Sequence, residues 1–313
     1  MKLGFLFPGQ GAQSVGMGKE LYEKYDSVKK IYDDVHRITG VDIAKVSFEG
    51  PEELLNKTQY TQLAVLTNSL AILEVLKENN VTAELYAGLS LGEYTALINE
   101  GMISFEEGVK LVFKRGECME KYLPAGEWQM AAIMGVTDEQ VEEVCSKVTK
   151  GFAVPANYNC VGQVVVSGEK DAVMEVKEIA EASGARKVSI LNTAGPFHTI
   201  MLNEASEKFA EELEQVDILK VSNKVLKNID GNEYCETDNV KDVLKRHIVS
   251  PVRFSRIIEN MINQGVDTFI EIGPGKTLSS FVKRTPTGKV IKILNINNVS
   301  TLEETLKVIK EEI

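Results

Sequence analysis

The hydrophobic positions of the chain fall into short continuous runs and longer stretches with helical spacing. The run Leu3–Phe7 is typical of a buried strand, and a second short strand is predicted over residues 84–87. Helical spacing is found over residues 17–39, 60–78, 105–122, 199–215 and 240–247. A helix over residues 255–264 then precedes a strand at 268–272. This alternation of helices and strands predicts an α/β fold.

After the Pro124-Ala125-Gly126 break, the predicted elements become shorter and alternate more closely between strand and helix. Six short elements follow in the order strand, helix, strand, strand, helix, strand. They are predicted over residues 130–134, 138–148, 152–156, 164–167, 170–182 and 186–190. This βαββαβ order is typical of a ferredoxin-like unit. We therefore predict a main domain of residues 1–126 and 195–313, into which a ferredoxin-like subdomain of residues 127–194 is inserted.

Composition and charge argue against some classes of function but say little about the fold. The 313 residues are 43% hydrophobic and 26% charged, which is typical of a globular protein with a buried core. The 35 basic and 46 acidic residues give a formal net charge of −11. Because phosphate contacts need clustered positive charge, this balance argues against nucleic-acid binding.

The cysteines and the apolar runs indicate in which cellular compartment the protein is expected. The four cysteines are widely spaced without a CxxC pair, so neither a zinc site nor a disulfide framework is indicated. A reducing cytoplasm fits this pattern best. The first apolar run is shorter than the ~7–15 residues of a signal-peptide core, and nowhere do ~18 apolar residues run together. Neither export nor a membrane span is expected.

The sequence GLSLG places Ser90 between a predicted strand and a predicted helix that reaches Asn99. In this context GxSxG is the nucleophile-elbow pattern, in which glycines permit a sharp turn that exposes the serine hydroxyl. A helix start can also stabilise developing negative charge. Ser90 and Glu93 also fit SxxE, the pattern of a capping box, in which the serine closes the helix start without a catalytic role. The two interpretations do not exclude each other.

A serine nucleophile needs a base within hydrogen-bond reach, and histidine is the usual one. The chain has three histidines. His36 lies beside charged residues on an amphipathic stretch, where a solvated position is expected. His198 follows Gly195-Pro196-Phe197 in a turn without helical or strand periodicity, which makes it the better base. His247 ends a basic helix, where a cation favoured by the helix C-terminus explains it, and it is the second candidate.

The turn Gly9-Gln10-Gly11 follows the first strand. It does not fit a dinucleotide fingerprint, because Ser14 stands where GxGxxG needs its third glycine. It is either a plain tight turn or the source of one main-chain N–H, that of Gln10, which joins the N–H of Leu91 in an oxyanion hole. Arg115 is either a surface residue or, if it is buried, a cation that needs an anion.

Seven motifs resemble those of one enzyme family, the malonyl-CoA:acyl carrier protein transacylases of fatty-acid synthesis. They are, in the family's order, FPGQGAQ, GLSLGEYTAL, Arg115-Gly116, NYNCVGQVVVSG, GPFHT, SPVRF and EIGPGKTL. The resemblance extends from residue 3 to about residue 284. It implies an α/β-hydrolase-like main domain with a ferredoxin-like insert, and malonyl transfer through an acyl-serine intermediate. It also implies that no metal or redox cofactor is required.

The resemblance assigns roles to the candidate residues. Ser90 is similar to the family's nucleophile and His198 to its base, while Gln10 and Leu91 match the positions that supply the oxyanion-hole amides. Arg115 matches the residue that anchors the malonyl carboxylate. A planar guanidinium suits that task because it can grip a carboxylate through two parallel hydrogen bonds.

The resemblance covers four further positions. His247 matches the position whose main-chain carbonyl orients the base, where glutamine is usual in the family. Phe197 stands directly before the base, where phenylalanine accompanies malonyl preference in related acyltransferases, because a bulky ring leaves no room for a methyl branch. Met119 and Asn159 are assigned to substrate binding.

The expected partners are malonyl-CoA, as substrate, and an acyl carrier protein. Because the carrier is expected to be acidic and the chain has a net charge of −11, docking needs a local basic face. Residues 272–301 carry lysines and an arginine without any Asp or Glu. We predict docking near Lys283 and Arg284, with a solvated lysine-rich surface as the alternative.

Three other functions stay open at this point. A stand-alone acyltransferase of a polyketide synthase would use the same chemistry on a different carrier. A serine thioesterase or hydrolase would release the acyl group to water rather than to a thiol. A catalytically silent scaffold is expected to lack the serine, the histidine or the arginine. Arg115 favours transfer of a carboxylated acyl group.

Overall fold

Two separate four-stranded sheets organise the computed structural model, which describes residues 1–192 and 195–312. In chain order the strands are β1 (Leu3–Phe7), β2 (Leu85–Gly88), β3 (Trp128–Met134), β4 (Ala153–Cys160), β5 (Gln163–Glu169), β6 (Lys187–Leu191), β7 (Thr268–Ile272) and β8 (Lys292–Ile296). One sheet is parallel, in the order β2-β1-β7-β8, and the other is antiparallel, in the order β4-β5-β3-β6. The predicted α/β class is confirmed.

Helices surround the parallel sheet and cover one face of the antiparallel sheet. In chain order they are α1 (Lys19–Lys24), α2 (Asp26–Thr39), α3 (Ile43–Glu49), α4 (Glu52–Leu55), α5 (Thr58–Glu78), α6 (Gly92–Asn99), α7 (Phe105–Lys121), α8 (Asp138–Ser146), α9 (Lys170–Ala182), α10 (Asn203–Glu214), α11 (Val240–His247), α12 (Phe254–Asn263), α13 (Thr277–Arg284) and α14 (Val299–Glu312). None of these helices is long and apolar enough to cross a membrane.

The parallel sheet forms the centre of the main core. Every residue of β1, β2 and β7 is buried. Parallel strands covered on both faces are expected to be apolar almost throughout, which explains their continuous hydrophobic runs. The long helix α5 is buried over most of its 21 residues and packs against α7 and α2, in agreement with its wide apolar coverage in the sequence.

The antiparallel sheet is built from β3, α8, β4, β5, α9 and β6, which is the predicted βαββαβ order. Alternate residues of β3 point to opposite faces, as the two-residue period of a strand requires. Ala131 and Ile133 pack into the core formed with α8 and α9, whereas Met130 and Ala132 line an open cavity. The predicted C-terminal boundary of this insert, residue 194, lies outside the described residues.

Two predicted helices are wrong in detail. The stretch 17–39 is two helices, because Tyr25 has an extended backbone (φ −117°, ψ 120°) that ends α1 and starts α2. The stretch 199–215 begins with a short 3-10 turn, Ile200–Leu202, and α10 starts only at Asn203. In both places the apolar spacing continues across a change in backbone geometry that periodicity alone does not detect.

The two sheets are joined through the segment that follows α11. The Tyr158 N–H donates to the Val252 carbonyl at 2.8 Å, and the Val252 N–H donates to the Ala156 carbonyl at 2.9 Å. The Arg253 guanidinium lies 4.0 Å from the centroid of the Tyr158 ring, a distance typical of a cation–π contact. These contacts fix β4 next to the start of α12.

Candidate active site

Ser90 lies in a tight turn between β2 and α6, and it has a left-handed backbone conformation (φ 51°). The flanking glycines allow this turn to pack closely. A Cβ atom on Gly88 would lie 1.9 Å from the Gly92 carbonyl carbon, and one on Gly92 would lie 2.1 Å from the Phe7 carbonyl oxygen. A positive φ is costly for a non-glycine residue and is maintained only where the surroundings enforce it. The strand-turn-helix context predicted for the elbow is therefore present.

The capping-box interpretation is wrong. Among the residues that the structure describes, no side chain caps the start of α6, and the Ser90 Oγ contacts His198 and Arg115 instead. The Glu93 carboxylate turns away from the helix start and accepts hydrogen bonds from the Asn228 N–H and the Tyr234 hydroxyl.

Ser90, His198 and the main chain of His247 form a hydrogen-bonded chain. The His198 Nε2 lies 2.8 Å from the Ser90 Oγ, and its Nδ1 lies 3.0 Å from the His247 carbonyl oxygen. A carbonyl can only accept, so Nδ1 carries the proton and Nε2 is free to accept the serine proton. Burial, together with the positive charge of Arg115, lowers the pKa of His198 to about 4. The imidazole is therefore neutral at neutral pH.

The other two histidines differ from each other. His36 is exposed on α2, as expected. The His247 side chain is fully buried, and burial, with the neighbouring His198 and Arg115, holds its pKa well below the usual value. The interpretation of His247 as a cation at a helix terminus is therefore wrong, because a neutral ring does not interact with the helix dipole in this way.

Arg115 is 1% exposed, so the surface interpretation of this residue is wrong. From α7 its Nη1 donates to the Gln62 Oε1 at 2.7 Å and its Nη2 donates to the Ser90 Oγ at 3.1 Å. The guanidinium carbon lies 5.3 Å from the centroid of the Tyr94 ring. Within residues 1–192 and 195–312, no carboxylate pairs with this cation and its Nε has no hydrogen-bond partner. An unpaired buried cation at a cavity favours an anionic ligand.

Gln62 and Asn228 are two site residues that the sequence analysis missed. Gln62 is buried on α5 and holds Arg115, while its Nε2 lies 3.5 Å from the Met119 Sδ. An amide side chain within the apolar sequence of α5 is a weak signal for it, because Gln59 and Asn68 of the same helix share that feature. The Asn228 side chain accepts from the Ser90 N–H at 2.8 Å and donates to the Gly88 carbonyl at 2.7 Å, so it joins both sides of the elbow. No local motif marks Asn228.

The amides of Gln10 and Leu91 lie at the carboxyl ends of the adjacent parallel strands β1 and β2, and both residues line the cavity. Such ends meet at one edge of a parallel sheet, which explains how two distant turns come together. The next amides along the turn, those of Gly92 and Glu93, donate to the carbonyls of Leu89 and Ser90. Among the described residues, neither the Gln10 nor the Leu91 amide donates a hydrogen bond. Both are available to a ligand.

The cavity, of about 380 Å³, lies between the carboxyl edge of the parallel sheet and the open face of the antiparallel sheet. It brings together eight of the predicted site residues, whose roles stay predictions. They are Gln10, Ser90, Leu91, Arg115, Met119, Asn159, Phe197 and His198. The Asn159 Nδ2 contacts Gln163 at 3.3 Å, and its Oδ1 has no partner among the described residues. His247 does not line the cavity, and its carbonyl oxygen contacts the His198 Nδ1 from behind.

The predicted docking residues Lys283 and Arg284 are exposed at the end of α13. The first turns of the same helix line the cavity through Thr277 and Phe281. Within the part of the chain that the structure describes, neither Lys283 nor Arg284 forms an ion pair, whereas Lys292 pairs with a glutamate of α14. Two exposed cations that form no ion pair within the described residues therefore lie on a helix that also lines the cavity.

Comparison with known proteins gives concordant matches along the chain. The family model described as acyl transferase domain matches residues 4–306. The malonyl CoA-acyl carrier protein transacylase of Bacillus subtilis is 41% identical over 313 residues, covering 99% of this chain and 98% of that protein. The crystal structure of the corresponding transacylase from Clostridium perfringens has a TM-score of 0.95 and 44% identity, covering 100% of this chain and 98% of that one.

A third match is a malonyl-transacylase in complex with a type II PKS acyl-carrier protein, with a TM-score of 0.92 and 32% identity, covering 98% of this chain and 100% of that one. The matches extend over both sheets and all of the site described above. The chain therefore belongs to the acyl transferase family, within the group of the malonyl CoA-acyl carrier protein transacylases.

Proposed function

We propose that this acyltransferase moves the malonyl group from malonyl-CoA to the pantetheine thiol of an acyl carrier protein in fatty-acid synthesis. One observation carries the proposal. The Arg115 guanidinium is buried, has no carboxylate partner among the described residues, and lies 3.1 Å from the hydroxyl of a serine at a nucleophile elbow. A cation placed there selects an acyl group that itself ends in a carboxylate.

In the first half of the proposed cycle, the Ser90 Oγ attacks the thioester carbonyl while its proton passes to the His198 Nε2. The N–H groups of Gln10 and Leu91 stabilise the oxyanion of the tetrahedral intermediate. When the carbon–sulfur bond breaks, the coenzyme A thiolate leaves and takes the proton from His198. Malonyl-Ser90 and free coenzyme A are the products of this step.

In the second half, the carrier thiol enters the same cavity and gives its proton to the His198 Nε2. The thiolate attacks the malonyl ester, and the Ser90 oxygen leaves with the proton from His198. The cycle is ping-pong, because coenzyme A departs before the carrier thiol reacts. It uses only side-chain and main-chain groups of this chain, and it includes no metal or redox cofactor.

Arg115 anchors the malonyl carboxylate through two parallel hydrogen bonds in this proposal. Gln62 and the Tyr94 ring hold the guanidinium in one orientation, which reduces the side-chain entropy lost on binding. Lysine cannot provide the same planar pair of donors. Phe197 and Met119 line the same cavity, and we propose that the Phe197 ring disfavours a methyl branch on the acyl group.

We propose that the carrier protein docks at Lys283 and Arg284. Both residues lie in the last turn of α13, whose earlier residues line the cavity, so the prosthetic arm of an acidic carrier bound there would lie near the cavity mouth. Such attraction acts at short range and has to overcome the repulsion of the net charge of −11. A cytoplasmic location is part of the proposal, since the four cysteines are free thiols, as is usual in a reducing compartment.

One assay tests the function against its rivals. The protein is incubated with malonyl-CoA labelled in the malonyl group, with and without a fatty-acid carrier protein or a polyketide carrier protein. We expect label on Ser90 without a carrier and rapid transfer to the fatty-acid carrier when it is added. Release of free malonate as the main product would favour a hydrolase, and faster transfer to the polyketide carrier would favour the other synthase.

The variant Ser90→Ala is the control for the covalent step. It removes the attacking oxygen, and we expect it to fold as judged by circular dichroism but to form no labelled acyl-enzyme. Labelled acyl-enzyme in a folded Ser90→Ala protein would contradict the proposed mechanism.

A further inference from the structure

A buried carboxyl group that the proposed cycle does not use lies behind the catalytic base. The Glu93 side chain is 0% exposed. Its Oε1 accepts from the Tyr234 hydroxyl at 2.5 Å and its Oε2 accepts from the Asn228 N–H at 2.8 Å. Within the described residues no lysine or arginine forms an ion pair with it. A buried carboxyl without a cationic partner is costly, and such groups are candidates for a functional role.

The His247 ring contacts both this carboxyl and the base. Its Nδ1 lies 3.6 Å from the Glu93 Oε2, which is too long for a hydrogen bond but close for an electrostatic interaction. The ring stacks on that of His198 with a centroid distance of 5.3 Å and an interplanar angle of 28°. Neither His247 ring nitrogen has a hydrogen-bond partner among the described residues. The ring therefore fills the space beside the base and keeps solvent from it.

The proposed chemistry creates a positive charge in this place. When Ser90 loses its proton, His198 becomes an imidazolium next to the Arg115 cation, which destabilises it. The His198 Nδ1 faces the neutral carbonyl of His247, whereas a serine triad places a carboxylate at this position. Electrostatic interactions are stronger in a buried region than in water, because the effective dielectric constant is lower there. A carboxylate that is separated from His198 by the His247 ring can therefore still stabilise the imidazolium.

We propose that Glu93 is a positioning residue whose carboxylate, acting across the buried His247 ring, stabilises the imidazolium form of His198 during acyl transfer. The inference rests on the proposed function, because the imidazolium arises only if Ser90 is acylated with His198 as base.

Several titratable or charged groups surround Glu93 and His247. They are Tyr94 on α6, Arg115 on α7, Tyr234 in the segment before α11, and His198. Burial raises the pKa of Glu93 to about 7, although the hydrogen bonds from Tyr234 and Asn228 and the charge of Arg115 oppose the rise. Near neutral pH both histidines are neutral, and Arg115 stays charged. Glu93 is therefore the member of this group that ionises there.

Ionisation of Glu93 is expected to raise the acylation rate. As the pH rises through about 7, Glu93 becomes a carboxylate, the imidazolium is stabilised and acylation becomes faster. We expect the acylation rate to rise roughly tenfold between about pH 5.5 and about pH 8.5, with one ionisation near neutrality. The deprotonation of His198 itself contributes little in this range, since it is complete well below it.

The experiment measures single-turnover acylation of Ser90 by the malonyl thioester of N-acetylcysteamine, which lacks the ionising phosphates of coenzyme A. Wild type is compared with Glu93→Gln. Glutamine is isosteric, its oxygen can accept from the Asn228 N–H and its amide can donate to the Tyr234 oxygen, so the packing is preserved. We expect a flat profile for Glu93→Gln at the low-pH rate of wild type.

The variant Tyr234→Phe gives an independent readout. It removes the hydrogen bond that most lowers the pKa of Glu93, so the rise in rate is expected to move to higher pH. Tyr25→Phe, at the junction of α1 and α2, is the control and should leave the profile in place. A Glu93→Gln profile parallel to that of wild type, or a Tyr234→Phe profile without a shift, would overturn the inference.

Two other outcomes are distinguishable. If Glu93→Gln does not fold, the Tyr234→Phe profile alone decides, because a purely structural role would change the rate equally at every pH. If wild type forms no acyl-enzyme at any pH, the proposed function fails rather than the role of Glu93.

Discussion

Arg115 is the residue on which the substrate class depends. Replacing it with alanine removes both donors to the malonyl carboxylate, and we expect malonyl transfer to fall about 100-fold, or about 3 kcal/mol in transition-state free energy. Acetyl transfer lacks that carboxylate and is expected to hold or rise. Initial rates with malonyl-CoA and acetyl-CoA measure the difference. The matched variant Arg115→Lys keeps the charge without the planar donor pair. Its rate of malonyl transfer should lie between those of wild type and Arg115→Ala. An equal loss of both activities would remove Arg115 from carboxylate recognition.

The lowered pKa of His198 makes the free energy of unfolding depend on pH. Its pKa is about 4 in the folded protein, below the value of about 6.5 expected when it is unfolded. Between these values the unfolded chain binds a proton that the native protein does not, so stability is lost as the pH falls. We expect wild type to lose about 2 kcal/mol relative to His198→Gln between about pH 6.5 and about pH 5. Urea unfolding at both pH values tests this, and equal losses in the two proteins would contradict it.

At the scale of elements, the nucleophile elbow depends on a side chain from outside β2 and α6. Asn228→Ala leaves the Ser90 N–H and the Gly88 carbonyl without their partner, so the strained turn is less well fixed. We expect kcat to fall about tenfold with little change in KM, together with a loss of about 1–3 kcal/mol in stability. The control Asn79→Ala, at the end of α5, should lower stability without changing kcat. An unchanged kcat in Asn228→Ala would show that the turn keeps its conformation without the Asn228 side chain.

The elements that carry the chemistry differ in how far the sequence predicts them. The elbow is predictable because its glycines and serine are close in sequence and their spacing has a geometric cause. The approach of Gln10 to Leu91 is not, since it depends on β1 and β2 being neighbours in the parallel sheet. Asn228 is 138 residues from Ser90 and follows no local pattern, so only the tertiary structure reveals it. The break at Tyr25 is hidden because both helices keep their apolar faces toward the same core.

At the scale of the whole molecule, the cavity exists because two sheets of different kinds face each other. The order βαββαβ predicts the second sheet, and its two-residue period determines which side chains of β3 face the cavity. The placement of that sheet depends on long-range contacts such as the pairing of Tyr158 with Val252, which no local pattern contains. The burial of Arg115 and His247 follows from the same packing, which is why their surroundings could not be predicted from the sequence.

Carrier docking is a property of the whole surface, and it gives the last prediction. Replacing both Lys283 and Arg284 with glutamate makes the charge of this surface four units more negative, so the surface repels an acidic carrier instead of attracting it. We expect KM for the carrier to rise about tenfold at low salt, and the effect to shrink as salt screens the charges. Acylation by malonyl-CoA alone, measured in single turnover, should keep at least most of its rate, because the serine, its base and Arg115 are untouched. The double reversal Lys77→Glu and Lys220→Glu changes the net charge by the same amount at exposed positions, at the end of α5 and in the segment after α10, and is the matched control for total charge. If the double variant and this control behave alike toward the carrier at low salt, the basic end of α13 is only a solvated surface and the carrier binds elsewhere.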